Sequence, residues 1–168
     1  MKDILIINTG GTFNKRYNPL KGELEVPVDS LAVDSILKYF YNLSYELQNV
    51  IHKDSLEMLD SDRQEMAELI QKSPQKKILI IHGTDTKDKT AKYLENIISD
   101  KSIVLTGAMV PLSIDTVEAN ANFSMALGYL LNEPKNGVYI AMHGLVEKHD
   151  TVFKNREVGI FQKVTCKE

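Results

Sequence analysis

Three short segments hold the residues in this chain that could do chemistry. They are Ile6-Ile7-Asn8-Thr9-Gly10-Gly11-Thr12, Ile80-Ile81-His82-Gly83-Thr84-Asp85-Thr86 and Val104-Leu105-Thr106-Gly107-Ala108-Met109. Each is an apolar, mostly β-branched run that breaks into glycine beside hydroxyl side chains. In a parallel α/β sheet such breaks fall at the carboxyl edge of the strands, where ligands bind. Threonine hydroxyls and a carboxylate presented from neighbouring strand ends point to nucleophilic chemistry on a small polar substrate. A threonine hydroxyl is a weak nucleophile and needs a proton acceptor. A lysine tuned by burial or neighbouring charge can serve, and Lys154, after the last predicted strand, is the candidate. Read without further context, Lys154 is more simply an exposed loop lysine.

Each segment also has a plainer reading. Two glycines after a strand allow a sharp turn that frees backbone N–H groups for a ligand, but Thr9 and Thr12 could simply cap a tight turn. Thr84 or Asp85 could cap the following helix. That accounts for one polar residue and leaves the others unexplained. The same helix N-terminus favours an anion such as a substrate carboxylate.

The elements that must position these residues follow from hydrophobic periodicity. Ile4–Ile7 is a short apolar run, the pattern of a strand buried on both faces. A polar stretch from Asn14 to Val28 follows, with turn signals at Asn18-Pro19 and Lys21-Gly22; a loop of this length is usually functional or disordered. Asp29 or Ser30 starts a helix to about Tyr41, with Leu31, Ile36, Leu37 and Phe40 inward. Glu46 to Ile51 is a second strand. Asp60 or Ser61 caps a helix carrying Met66, Leu69 and Ile70, which ends before Pro74. Strands over Lys77–Ile81, Ser102–Leu105 and Gly137–Met142 alternate with helices over Thr86–Ile98 and Thr116–Leu131. Ala91, Leu94, Ile97 and Ile98 are placed inward on the former. Lys87, Lys89 and Lys92 read as its solvated face. Beyond Gly144 only two β-like stretches stand out, Asp150–Phe153 and Gly159–Val164. This alternation predicts an α/β fold: a doubly wound, mainly parallel sheet of flavodoxin-like, three-layer type.

Composition narrows the partners. The chain has 168 residues, enough for one domain with a real core. A net charge of -3 gives no pull toward nucleic acid or an anionic membrane surface. The initial apolar run is too short for a signal peptide or a membrane span. The single cysteine, Cys166, excludes an intramolecular disulfide, so a reducing cytoplasm is the expected compartment. The four histidines, His52, His82, His143 and His149, are dispersed and lack zinc-ligand spacing. No metal or cofactor is expected.

Taken together, the motifs resemble the bacterial-type asparaginase family. Thr9-Gly10-Gly11-Thr12 is similar to that family's first signature and His82-Gly83-Thr84-Asp85-Thr86 to its second. Leu105-Thr106-Gly107-Ala108-Met109-Val110-Pro111 is similar to a Gly-Ala-Met turn that family members carry. The resemblance implies a threonine-dependent amidohydrolase that converts asparagine to aspartate and ammonia. It implies Thr12 as primary nucleophile and Thr84 as the second catalytic threonine, with Lys154 activating the Thr84 position. Tyr17, the only tyrosine of the loop after Thr12, takes the place of an assisting tyrosine, earlier than the family pattern expects. Asp85 matches the residue that binds the substrate α-amino group, and Ser55 a serine that binds its carboxylate. Gly11, Gly83 and Ala108 supply backbone contacts. Leu56 stands where many members have a polar contact, and Glu57 beside it either compensates or repels a carboxylate.

The resemblance further implies that 1–168 is one N-terminal-type domain without the usual C-terminal domain. Such a domain exposes apolar surface, so a homo-oligomer, dimer or tetramer, is expected. Two other function classes compete. One is a non-catalytic amino-acid-binding domain, a sensor or regulator that keeps the pocket. The other is a nucleotide-binding doubly wound domain, which the absence of a P-loop or G-x-G-x-x-G fingerprint disfavours.

Overall fold

A computed structural model describes residues 2–164; Cys166 lies outside the described residues. The four-residue run Ile4–Ile7 sits at the centre of the architecture. In strand β1 (Ile4–Gly10) every residue is buried, because side chains alternate between two covered faces. β1 pairs in parallel with β4 (Tyr45–Lys53) on one side and β5 (Lys77–Ile81) on the other. β6 (Ser102–Thr106) and β7 (Gly137–Met142) extend the parallel sheet, and β8 (Leu145–Lys148) adds an antiparallel edge. The order is β4-β1-β5-β6-β7-β8.

Two apolar layers cover the sheet. Leu5, Ile7, Ile78, Ile80, Ile103 and Leu105 pack under α2 (Asp60–Lys72) and α3 (Lys87–Ile97). Ile4, Ile6, Leu79, Ile81 and Val104 pack under α1 (Leu31–Leu37) and α4 (Thr116–Leu131). Each fully buried Ile or Leu contributes about 1.5–3 kcal/mol, so the two faces of β1 and β5 anchor the fold. The predicted three-layer, mainly parallel α/β sheet is therefore the observed one.

Several boundaries differ from the sequence reading. α1 stops at Leu37 rather than near Tyr41, and Leu31 is exposed rather than inward. α2 is preceded by Leu59, whose backbone N–H donates to Asp62, so neither Asp60 nor Ser61 caps it. On α3, Ile97 is exposed because the inward stripe runs through Ala91, Leu94 and Ile98. The polar stretch after Thr12 contains an antiparallel pair, β2 (Arg16–Asn18) and β3 (Glu23–Glu25). β8 was not legible as a strand. The last two predicted stretches form the hairpin β9 (Val152–Asn155) and β10 (Ile160–Lys163), which packs through Val152 and Phe161 onto the α2/α3 face.

The strand order places a switch point between β1 and β5. From β1 the chain crosses to β4 on one side, then returns to β5 on the other. Diverging connections leave a crevice at such a point. The carboxyl ends meeting there are Gly10-Gly11-Thr12 and His82-Gly83-Thr84-Asp85.

Candidate active site

The two strand-end turns touch through glycine. Gly11 has φ +71, and a Cβ built on it would lie 2.6 Å from the Gly83 backbone. A Cβ on Gly83 would instead lie 2.6 Å from the Ser55 side chain, so glycine at 11 lets the two strand-end turns meet and glycine at 83 lets the Ser55 turn close on them. Behind the first turn, buried Asn14 donates to the Gly10 carbonyl (2.6 Å) and to Asn8 Oδ1 (2.9 Å). Thr12 then opens a 3-10 turn, half-buried. Thr9 and Thr106 do not face the crevice: their hydroxyls donate to the carbonyls of Ile81 and Ala141 and tie neighbouring strands together.

Beyond Gly83 the chain enters α3, and Thr84 and Asp85 do not cap it. Thr86 holds the cap position. Lys154, on β9, donates from Nζ to Thr84 Oγ1 at 2.8 Å and to Asp85 Oδ1 at 2.7 Å. Its side chain is only 12% exposed, so the exposed-loop reading of Lys154 is overturned. The hydroxyl, amine and carboxylate thus converge from residues seventy positions apart in the chain. Arg156 Nη2 donates to the Asp85 carbonyl at 2.7 Å. Together these residues and Phe161 line a cavity of about 160 Å³.

Ser55 opens a 3-10 turn after β4 and is fully buried. Its Oγ accepts the backbone N–H groups of Asp85 (3.1 Å) and Thr86 (3.4 Å), while its carbonyl accepts the Thr86 hydroxyl at 2.7 Å. Ser55 thus satisfies free donors at the start of α3, and its hydroxyl proton remains for a further partner. Ala108 is buried beyond β6, followed by Met109 and Val110, whose N–H groups donate to Glu118.

Two expected residues stand apart from this cluster. Tyr17 sits on β2 opposite Leu24 and is 63% exposed. Glu57 is exposed on the far end of the Ser55 turn, facing an open groove with Lys15, His52 and Asp54. Burial pushes the Asp54 carboxyl up, but the bond from Lys15 at 2.6 Å and backbone donors hold it below its ordinary value.

Three further buried polar residues are His82, Arg63 and Lys87, of which only Arg63 is absent from the sequence reading. His82 is fully buried and its pKa is pushed down to about 3 by burial, so it is neutral; its Nε2 lies 2.8 Å from Thr90 Oγ1. Arg63 reaches Thr90 from Nε (3.0 Å) and Thr86 from Nη2 (3.3 Å). Lys87 is fully buried, not part of a solvated face as expected. Among the described residues its Nζ has no hydrogen-bond partner, and it lies 5.4 Å over the Phe161 ring. Burial lowers its pKa well below the ordinary lysine value. Helical spacing held the signal for both bases: 87, 91, 94 and 98 form one stripe, as do 63, 66, 67 and 70.

Among the described residues no group of three or more His, Cys, Asp or Glu side chains could hold a metal ion. Nor, among the described residues, is any helix long and apolar enough to cross a membrane.

Comparison with known proteins agrees with this fold. The family model described as Asparaginase, N-terminal matches residues 3–164. A glutaminase-asparaginase of Acinetobacter glutaminasificans is 28% identical, aligned over 93% of this chain and 49% of its own length. One of the glutamyl-tRNA(Gln) amidotransferase subunits of Methanococcus maripaludis is 30% identical over 90% of this chain and 37% of its own. Among solved structures, the thermostable L-asparaginase from Thermococcus kodakarensis superposes with a TM-score of 0.84 at 22% identity, covering 96% of this chain and 51% of that one. A probable cytoplasmic L-asparaginase from Campylobacter jejuni gives 0.77 at 23%, covering 97% and 53%. The chain thus spans about half the length, or less, of the proteins it matches. With its two threonine-bearing strand ends meeting at the switch point and a family match over nearly its whole length, the chain belongs to the asparaginase family, matching the N-terminal domain.

Proposed function

We propose that this domain hydrolyses a small side-chain amide, with asparagine as the first substrate to test. The observation that carries the reading is the contact of Lys154 Nζ with Thr84 Oγ1 and Asp85 Oδ1. A largely buried amine against a threonine hydroxyl is the arrangement that proton transfer to or from that hydroxyl requires. Thr12, across the Gly11–Gly83 contact, attacks the amide carbon with its hydroxyl oxygen. The carbon–nitrogen bond breaks, the leaving nitrogen takes a proton and departs as ammonia, and water then hydrolyses the resulting ester. Thr84 and Lys154 manage the proton in each half, and backbone N–H groups near Gly11 and Thr84 stabilise the oxyanion. Asp85 receives the substrate α-amino group, and Ser55 offers its hydroxyl proton to the carboxylate. No cofactor or metal enters these steps.

A second reading, an amino-acid-binding domain without turnover, draws on the position of Tyr17, which stands in solvent away from Thr84 and Lys154. Ammonia release from asparagine, glutamine and simple amides, beside calorimetry with aspartate, separates the two. Turnover supports the hydrolase. Aspartate binding without ammonia release from any amide supports the binding domain.

We also propose that the chain self-associates in the cytoplasm. Tyr39, Tyr41, Ile114 and Val117 are all more than half exposed and provide apolar surface for a second copy. A sedimentation mass of a single chain at micromolar concentration would end that proposal.

A further inference from the structure

We propose that His143 is a positioning residue for Lys154, a proton-sensitive latch that holds the β9–β10 hairpin against the site. His143 directly follows β7 and has φ 53, the left-handed region that non-glycine residues seldom occupy. Three hydrogen bonds hold it there. Its backbone N–H donates to Asn122 Oδ1 at 3.0 Å. Its Nε2 lies 2.9 Å from Glu118 Oε1. Its Nδ1 lies 3.1 Å from the backbone nitrogen of Phe161. A carboxylate only accepts and a backbone N–H only donates. The two contacts therefore select one neutral tautomer, with the proton on Nε2 and the lone pair of Nδ1 receiving the Phe161 N–H.

Phe161 is the cross-strand partner of Lys154 in the hairpin. Its N–H points away from β9, to His143, and its ring packs edge-on to the imidazole at 5.9 Å. The latch thus acts on the residue directly opposite Lys154. Its other end is firm, since Glu118 also accepts the N–H groups of Met109 and Val110. A single carboxylate ties the loop beyond β6, α4 and, through His143, the hairpin.

Protonation at Nδ1 removes the acceptor. The imidazolium keeps its Nε2–H on Glu118, but Nδ1–H then faces the Phe161 N–H, donor against donor. β10 must move or leave a buried N–H unpaired. The charged groups around the latch are Glu118 from α4, Lys87 from α3 beneath the Phe161 ring, and Lys154 with Asp85 on the hairpin's other side. Lys163 with Glu147 is an outer tie between β10 and β8 that does not depend on His143.

The consequence for catalysis rests on the proposed role of Lys154, but the latch is testable without activity. The experiment is amide hydrogen exchange from about pH 8 to about pH 5, the range in which histidine changes charge, corrected for intrinsic exchange. Strands β1 and β5 serve as the internal reference. Protection of the Phe161 amide falls roughly tenfold toward the acid end while the reference strands stay protected. In His143→Asn, which tolerates the left-handed backbone, that pH dependence disappears. Ring ¹⁵N shifts of the wild type report the Nε2–H tautomer at the alkaline end, so the test survives a variant that folds poorly. Phe161 protection that ignores pH, or the opposite tautomer, overturns the latch. An inactive protein with a pH-dependent hairpin would instead remove the hydrolase reading alone.

Discussion

Replacing Lys87 by methionine should stabilise the protein, by an amount that depends on pH. Lys87 is fully buried and its Nζ has no partner among the described residues. A buried unpaired donor costs about 1–3 kcal/mol, and methionine fills a similar volume without a donor. A proton-linked contribution adds to this. Burial lowers the folded-state pKa of Lys87, so the unfolded chain binds a proton that the native protein excludes. The unfolded state thus binds more protons, and wild-type stability rises with pH. That contribution is lost as pH falls from about 10.4, the ordinary lysine value, at about 1.4 kcal/mol per unit until the folded amine itself titrates. The advantage of Lys87→Met is therefore larger near neutrality and shrinks toward the 1–3 kcal/mol of the unpaired donor near about pH 10. Paired urea titrations of the two proteins at about pH 7 and pH 9.5 measure it, and titrations common to both proteins cancel in the difference. A methionine variant no more stable than wild type at neutral pH, or an advantage that does not shrink with pH, would refute the reasoning.

The other predictions concern the turns and the buried polar groups. Gly11→Ala should lose at least about 1–2 kcal/mol from its left-handed backbone, and more from the clash with Gly83; an unchanged melting temperature would show that the two turns can separate. Arg63→Met leaves Thr86 and Thr90 without a guanidinium partner and should loosen the Ser55 turn. It is expected to raise KM more than it lowers kcat, and an equal fall in kcat would contradict that. Thr84→Ser retains the hydroxyl that Lys154 contacts and should keep measurable turnover. Thr84→Ala should lose about 10²-fold or more, and equal rates for the two would place Thr84 outside the chemistry.

What could be read from the sequence followed the strength of its periodic signals. Ile4–Ile7, Lys77–Ile81 and Gly137–Met142 are continuous apolar runs, and the doubly wound sheet follows from them. β8 was missed because Leu145-Val146-Glu147-Lys148 is short, half-buried and without clear alternation. Glycine and threonine marked the strand ends, but their spacing does not say which hydroxyls face the crevice. Thr9 and Thr106 turn to strand carbonyls, while Thr84 turns to Lys154. The Lys154 contact spans seventy residues and depends on how the β9–β10 hairpin folds back, which no local pattern reports. Lys87 was misread because its charge was weighed above its place in the 87-91-94-98 stripe.

The most direct test of the central claim is the rate of ammonia release from asparagine by wild type and by Lys154→Ala, both shown folded by thermal melting. If the amine moves the proton at Thr84, the wild type turns over and the variant loses about 10²- to 10⁴-fold in kcat. A folded variant that keeps its rate within a few-fold, or a wild type that releases no ammonia, would contradict it.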